Sequence, residues 1–521
     1  MPQFVTAIRI LPAALALAAG PAAAQDIELF PHDTRWRLTL QHLDPPSGST
    51  TGLVGIHYDL LHPFRSYPNL YVGAATYAGV VGDRGGFLAT GFEGGLRRSI
   101  GDGWWLEGGL FAGGGGSGIG DDGTGLVLRP HVALEAPLSE SWNWRLELAY
   151  WSTPGGDSDG VQLALGVSGA RNLLTGDWSF GELDELNPNE LMEVPTRVEP
   201  IVVLVDPSSG TRRSGSSEPD RRFGLVGVRM HHSLGRNLYV PVEYAAAAAG
   251  DSGGFRQIMF GLGEWGPRFT PWVWGVKEVL IGAAGGGGYD TGGGLAGRVN
   301  VGLEFPFDEG WSASVTGGYE WAFGGHFDAW TMQASVSWTP QHYALPKGFD
   351  RTRLTDEALA ESDVELEDWI VSVSHKSLKL RSDAVRRDGG PIDGTVSMAG
   401  IGLEREIAPN LDLLVDTYSA WNGDVGGQQE ILTGLRYRLD ALRPWDVHGQ
   451  FYVKFELGAG SGPADTGSGL LQEFGAGWRF SPSDGLWAAV EALHVSSTSG
   501  SFEGDGLGLH LGWAFSRPVA R

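Results

Sequence analysis

Apolar and polar positions alternate with period two through most of this chain, in runs of about 9 to 12 residues broken by Gly, Pro, Asp and Ser. In the stretch RPHVALEAP, Arg129, His131, Ala133 and Glu135 share one face, and Leu128, Val132 and Leu134 share the other. The spacing returns in Arg298, Asn300, Gly302 and Glu304 against Val299, Val301 and Leu303. It returns again with the charges exchanged, as Glu473, Gly475, Gly477 and Arg479 against Phe474 and Trp478. Such runs predict strands with one apolar and one polar face.

These matching strands belong to a repeat. Segments opening NLYVGAATYAG at Asn69, NLYVPVEYAAAAAG at Asn237 and NLDLLVDTYSAW at Asn410 stand 168 and then 173 residues apart, and Gly-Gly pairs at Gly85, Gly253 and Gly426 keep the same offsets. Three tandem units follow, each offering about eight strands, and an even number returns the chain to the side it entered from. The predicted organisation is 1–24 as a signal peptide, 25–173 as unit 1, 174–197 as a periplasmic linker, 198–341 as unit 2, 342–368 as an acidic periplasmic linker and 369–521 as unit 3. A short helix is expected at 354–361.

Composition narrows the class. Gly numbers 82 and Trp 20 beside a charged fraction of 19%, which suits a membrane barrel better than a cytoplasmic enzyme. The opening MPQFVTAIR, ILPAALALAAG and PAAAQ read as basic, apolar and cleavage regions of a secretion signal, cut near Ala24. No other apolar run reaches the roughly 18 residues of a spanning helix, so membrane insertion must be by strands. The absence of Cys excludes disulfides and thiolate chemistry. A net charge of -25 without any basic cluster argues against nucleic acid as a partner.

Through its Gly and aromatic alternation, the short turns APLSES, FPFDEG and SPSDG, and the closing strand LGLHLGWAF, the mature chain resembles Gram-negative outer-membrane β-barrel proteins. Each unit resembles their eight-stranded members. The resemblance implies an all-β, transmembrane antiparallel β-barrel in the outer membrane, with outer-membrane lipids and the barrel-assembly machinery as partners, and it carries over no cofactor. Two architectures fit: one barrel of about 24 strands, or three separate eight-stranded barrels in tandem. The single barrel is the expectation, by analogy with duplicated barrels that merge. Its wide lumen would call for a plug, or for a periplasmic or lumen-filling partner. Pairing of the eighth strand with the ninth means one barrel; pairing with the first means three.

The charged face is then expected to line the lumen, because a charge facing lipid at mid-membrane costs about 2 to 4 kcal/mol. In unit 1 the candidates are Glu93, Arg97, Glu107, Arg129, His131, Glu135, Arg145 and Glu147. Unit 2 offers Glu264, Glu278, Arg298, Glu304 and Glu320, and unit 3 offers Glu456, Glu473, Arg479 and Glu491. Trp142, Trp144, Trp272, Trp274, Trp311, Trp321 and Trp487 stand near strand ends and are expected at the membrane borders, although Trp272 and Trp274 share parity with Glu278 and Trp487 with Glu491 unless a bulge intervenes.

The function expected from this lumen is an outer-membrane channel or export/uptake conduit. The alternative is a structural or adhesion protein made of closed barrels. A third reading, an envelope lipid-modifying enzyme, rests on His494 and Ser496 in LHVSS, which resemble the His-x-Ser arrangement of lipid A deacylases. Glu491 falls on the opposite face and the motif is missing from the other units, so no enzyme and no metal site is expected.

Overall fold

The computed structural model describes residues 27–520 except 44–49, 62–66, 83–84, 117–123, 140–141, 157–158, 179–191, 213–221, 235–236, 251, 309, 340, 345–351, 355–363, 393, 440–448 and 484–485. The signal peptide and all but the first residue of the expected helix at 354–361 lie outside the described residues.

Unit 1 comprises β1 (Ile27–Leu43), β2 (Thr51–Leu61), β3 (Leu70–Val81), β4 (Leu88–Gly101), β5 (Trp104–Gly116), β6 (Leu126–Pro137), β7 (Trp142–Trp151) and β8 (Gly160–Trp178). Each strand pairs antiparallel with the next. The ring then closes, because β8 pairs with β1 from Ile27↔Trp178 to Leu43↔Gln162. Unit 2 runs β9 (Met192–Pro207), β10 (Phe223–Ser233), β11 (Leu238–Ala249), β12 (Arg256–Thr270), β13 (Val273–Gly285), β14 (Leu295–Asp308), β15 (Trp311–Ala322) and β16 (Asp328–Trp338), and β16 closes on β9. Two short strands follow, β17 (Gln341–Ala344) and β18 (Thr352–Leu354). Unit 3 runs β19 (Val364–Leu380), β20 (Thr395–Ala408), β21 (Leu411–Asn422), β22 (Gln429–Leu439), β23 (Gly449–Ser461), β24 (Leu470–Ser483), β25 (Leu486–Ser497) and β26 (Glu503–Ala520). It closes from Val364↔Ala520 to Leu380↔Gly504.

The expected single barrel of about 24 strands is therefore overturned. The eighth strand pairs with the first, and three eight-stranded barrels stand in tandem. The physical reason lies in what each ring encloses: eight strands leave an interior that side chains can fill, and these units carry enough large inward residues to fill it. Among the described residues, strand pairing between the units is confined to the strand tips beside the short turns. There β17 pairs with the start of β9, β18 with the start of β1, and Ser516 with Gly176.

Alternation sets the two walls. In β14, Arg298, Asn300 and Glu304 are buried while Val299, Val301 and Leu303 are exposed. The exposed apolar band continues through Leu163, Leu165, Leu507, Leu509 and Leu511, as a wall facing hydrocarbon requires. The chain is an outer-membrane-type β-barrel protein of three tandem closed barrels.

At the long-loop end the barrels touch in a cycle. Gly85 of barrel 1 donates its N–H to Gly292 O of barrel 2 at 3.1 Å. Arg387 of barrel 3 donates to Gly253 O of barrel 2, and Ser419 of barrel 3 donates to Gly114 O of barrel 1 at 2.8 Å. Small residues below these contacts let the walls meet: Val54, Ala78, Leu88, Ile258 and Ala283 pack between barrels 1 and 2, and Ala246, Ala248 and Ala459 between barrels 2 and 3.

Candidate functional site

Each interior has two layers. Towards the short turns lies an ionic layer, and towards the long loops an apolar one. In barrel 1, Arg35 donates to Asp59 at 2.9 Å, Glu107 at 2.6 Å and Glu135 at 3.0 Å. Arg37 joins Asp59 to Glu93, at 2.8 and 2.5 Å. Arg145 reaches Glu147, Glu135 and Glu107, at 2.8, 3.0 and 2.7 Å. Arg129 binds Glu147 and Gln162, and Arg97 binds Glu135 while lying over Trp105. His131 accepts or donates through Nε2 with Tyr71 and Glu107. These groups are all buried.

Barrel 2 repeats the theme with fewer cations. Arg229 joins Glu243 to Glu278, Arg298 donates to Glu243 at 2.6 Å with Glu320 at 3.6 Å, and Arg197 donates to Glu304 at 2.7 Å. In barrel 3, Lys454 lies 2.9, 2.7 and 3.0 Å from Glu456, Glu473 and Glu491, and Lys376 bridges Glu430 and Glu473. Arg436 binds Glu404 and Asp412, while Arg479 stands half-buried, 3.8 Å from Glu404.

The spacing that marked Arg129 with Glu135, Arg298 with Glu304 and Glu473 with Arg479 does not make pairs. Six residues along a strand span about 20 Å, so each partner is found on another strand. Glu264 faces the other way, outside barrel 2, where it pairs with Lys277 at 2.9 Å. Sequence reasoning missed Arg35, Arg37, Asp59, Arg229 and Glu243. Their signal was present, since Arg35, Arg37 and Asp59 alternate with apolar Trp36 and Leu60.

The tryptophans divide between the two walls. Trp142, Trp272 and Trp311 are exposed near the short turns, and Trp144 and Trp321 are half-buried. Trp487 points inward and is buried, with Arg479 and Arg436 over its ring at 4.7 and 5.8 Å. Trp274 also turns inward, in line with its parity with Glu278, whereas Trp272, of the same parity, lies in the turn before β13 and faces out. Trp274 lines a cavity of about 440 Å³ at the turn end of barrel 2, together with Arg197, His231, Trp265 and Glu304.

That cavity does not continue upward. Above the ionic layer each barrel is closed by apolar side chains: Tyr77, Phe87, Phe111 and Trp151 in barrel 1, Phe223, Phe255, Tyr289 and Phe327 in barrel 2, and Leu378, Met398, Leu471 and Phe502 in barrel 3. The expected conduit with a polar lumen is therefore overturned. Among the described residues, side chains of the chain itself close each interior above the ionic layer. Sealing is the physical reason: an ion crossing would have to break buried ion pairs and then pass an aromatic plug.

Glu93, Glu107 and His131 place ligand atoms close enough to hold a metal ion. Their lone pairs are already engaged by Arg37, Arg145 and Tyr71, so a cation there would face guanidinium groups. His494 is committed to Asp505 at 2.9 Å, and Ser496 accepts from Gln472 at 3.0 Å. No Ser–His hydrogen bond joins them among the described residues.

No protein-family model matches the chain, and no curated protein matches it in sequence. Among solved structures it is similar to the siderophore receptor PirA from Acinetobacter baumannii, at 10% identity over 93% of this chain and 81% of that one, with a TM-score of 0.26. It is also similar to a mutant ferric enterobactin receptor from Pseudomonas aeruginosa in complex with enterobactin (10% identity, 95% and 82% covered, TM-score 0.27) and to OpdL of the same organism (9%, 95% and 99%, 0.22). Likenesses this low carry no argument about ligand or activity.

Proposed function

We propose that the chain is a structural outer-membrane protein, a covalent cluster of three sealed barrels that occupies membrane and presents loops without passing solute. The observation that carries this reading is the filled interior, with Arg37, Arg129 and Arg145 wholly buried beneath an aromatic plug. The mature protein begins after cleavage near Ala24, reaches the outer membrane through the periplasm and is inserted by the barrel-assembly machinery. Lipids are the partner of its apolar wall.

The test is reconstitution into planar bilayers, with folding verified by heat-modifiable migration. The folded protein is expected to add no conductance steps to the bare membrane. Discrete openings from pure, folded protein would overturn the reading.

A further inference from the structure

The interiors differ in charge balance, and barrel 2 buries five carboxylates against the inward Arg197, Arg229 and Arg298. Barrel 1 buries five arginines against five carboxylates, so its ionic layer is neutral. Barrel 3 buries seven carboxylates against Lys376, Arg436 and Lys454. Adding the half-buried Arg438 and Arg479 still leaves two carboxylates over. In a sealed interior, surplus carboxylates must take up protons or a counter-cation.

One carboxylate of barrel 3 has lost a partner that barrel 2 keeps. In barrel 2, Glu243 stands opposite Arg229 on the neighbouring strand, and Arg229 Nε donates to it at 3.0 Å. The same cross-strand pair recurs 173 residues later in barrel 3 as Asp416 opposite Gly402. The carboxylate has been kept and its guanidinium has gone. Asp416 is buried, and among the described residues no cationic group forms an ion pair with it.

The space is aimed at, too. A β-carbon built on Gly402 would lie 2.2 Å from Asp416 Oδ1 and 2.5 Å from Ser372 Oγ, so both oxygens point into the gap left by the missing side chain. Ser372 Oγ, Ser374 Oγ and Tyr418 Oη are buried without a hydrogen-bond partner. Glu456 makes no well-aligned hydrogen bond either, although Lys454 Nζ approaches to 2.9 Å. The orphan Ser372 hydroxyl beside the unpaired Asp416 carboxylate offers hard oxygen donors, and Ser374 Oγ lies at the neighbouring Gly400.

We propose that barrel 3 holds a hard divalent cation, with calcium the best match, beside Asp416 where barrel 2 has the Arg229 guanidinium. The ion is an internal strut. The proposal rests on the interior being sealed, which the conductance measurement tests separately.

The full chain is refolded with Ca²⁺ or with chelator, desalted, and assayed for bound metal and for Tm. About one calcium per chain and a raised Tm are expected. Asp416→Asn should lower bound calcium ~10-fold or more. Gly402→Arg, which restores the barrel 2 pair, should remove both calcium binding and its effect on Tm while the protein still folds. Should Asp416→Asn fail to fold, Ser372→Ala is the second variant and should weaken binding. A wild-type protein that holds no calcium and melts alike in both buffers would overturn the proposal, as would wild-type calcium content in Gly402→Arg. A Tm raised by Asp416→Asn without any calcium effect would assign the site to a proton instead and equally overturn it.

Discussion

Arg256 of the second barrel donates from Nη1 to Gln429 Oε1 of the third at 2.9 Å, and the two residues hold the same position in their units. Leu88 is the corresponding residue of barrel 1, and its carbonyl accepts from Gln429 Nε2 at 3.1 Å. Three copies of one position thus meet where the three barrels meet. Arg256 adds bonds to Ser461 Oγ at 3.0 Å, Gly86 O at 2.8 Å and Gly116 O at 2.9 Å, so a single side chain ties all three barrels together.

Replacing Arg256 should therefore loosen the cluster while leaving each ring closed. Arg256→Ala is expected to lower unfolding free energy by about 3 kcal/mol, because charge-assisted bonds are lost and their acceptors stay buried. Arg256→Gln, which copies the residue of unit 3, should lose less. Denaturant unfolding of the refolded protein in micelles, followed by tryptophan fluorescence, measures both. An Arg256→Ala curve superimposable on wild type would remove the residue from this role.

How far the sequence could go is shown by the same junction. The Gly-Gly pairs at Gly85, Gly253 and Gly426 were legible as a repeat, and their purpose was not. In the fold they are where neighbouring barrels touch: a β-carbon on Gly253 would lie 2.1 Å from Gly467 O, and one on Gly85 2.4 Å from Gly292 O. Alternation states which face a residue occupies and nothing about which edges will pair, so strands and charged faces could be read while closure could not. The inward charges were visible for the same reason. Their partners were hidden, because Arg129 finds Glu147 across strands and not Glu135 along its own.

The ionic layer gives a sharp contrast between inner and outer charges. Arg145→Ala leaves Glu107, Glu135 and Glu147 short of a buried partner and should destabilise the protein by about 3 to 5 kcal/mol. Glu264→Gln breaks only the outer pair with Lys277 and should change stability by less than about 1 kcal/mol. Equal effects in urea titrations would mean that the interior pairs are not desolvated.

One pH-dependent contact lies outside the membrane wall. In the loops of barrel 2, His326 Nδ1 and Asp290 Oδ2 are 2.6 Å apart, and Asp290 Oδ1 accepts from Gly292 N–H at 3.2 Å. The hydrogen bond with His326 holds the Asp290 carboxyl below its ordinary value of 3.8. A depressed carboxyl contributes stability that is present above that ordinary value and lost as pH falls through the folded one. Protection of the Gly292 amide from hydrogen exchange should accordingly persist at pH 5 and fall on acidification below about 4. The step should move to higher pH in His326→Ala, where the hydrogen bond that holds the carboxyl down is gone. Exchange at Gly292 that follows the intrinsic pH dependence alone would contradict the assignment.

The tryptophans offer a test of which way a strand end faces. Parity along β25 sets Trp487 with Glu491, and the fold honours parity over the usual habit of strand-end tryptophans: the ring is 1% exposed, with two arginines above it. Trp272, by contrast, is 69% exposed at the rim of barrel 2. Trp487→Ala removes a large buried ring and should lower stability by about 3 to 5 kcal/mol. Trp272→Ala takes nothing from the interior, so its unfolding free energy should stay within about 0.5 kcal/mol of wild type. Its effect should appear as a smaller shift of tryptophan emission on transfer from micelles to bilayers, since a rim indole senses headgroups. If the two substitutions proved equally costly, the inward placement of Trp487 would be wrong, and with it the claim that barrel 3 is packed to its turn end.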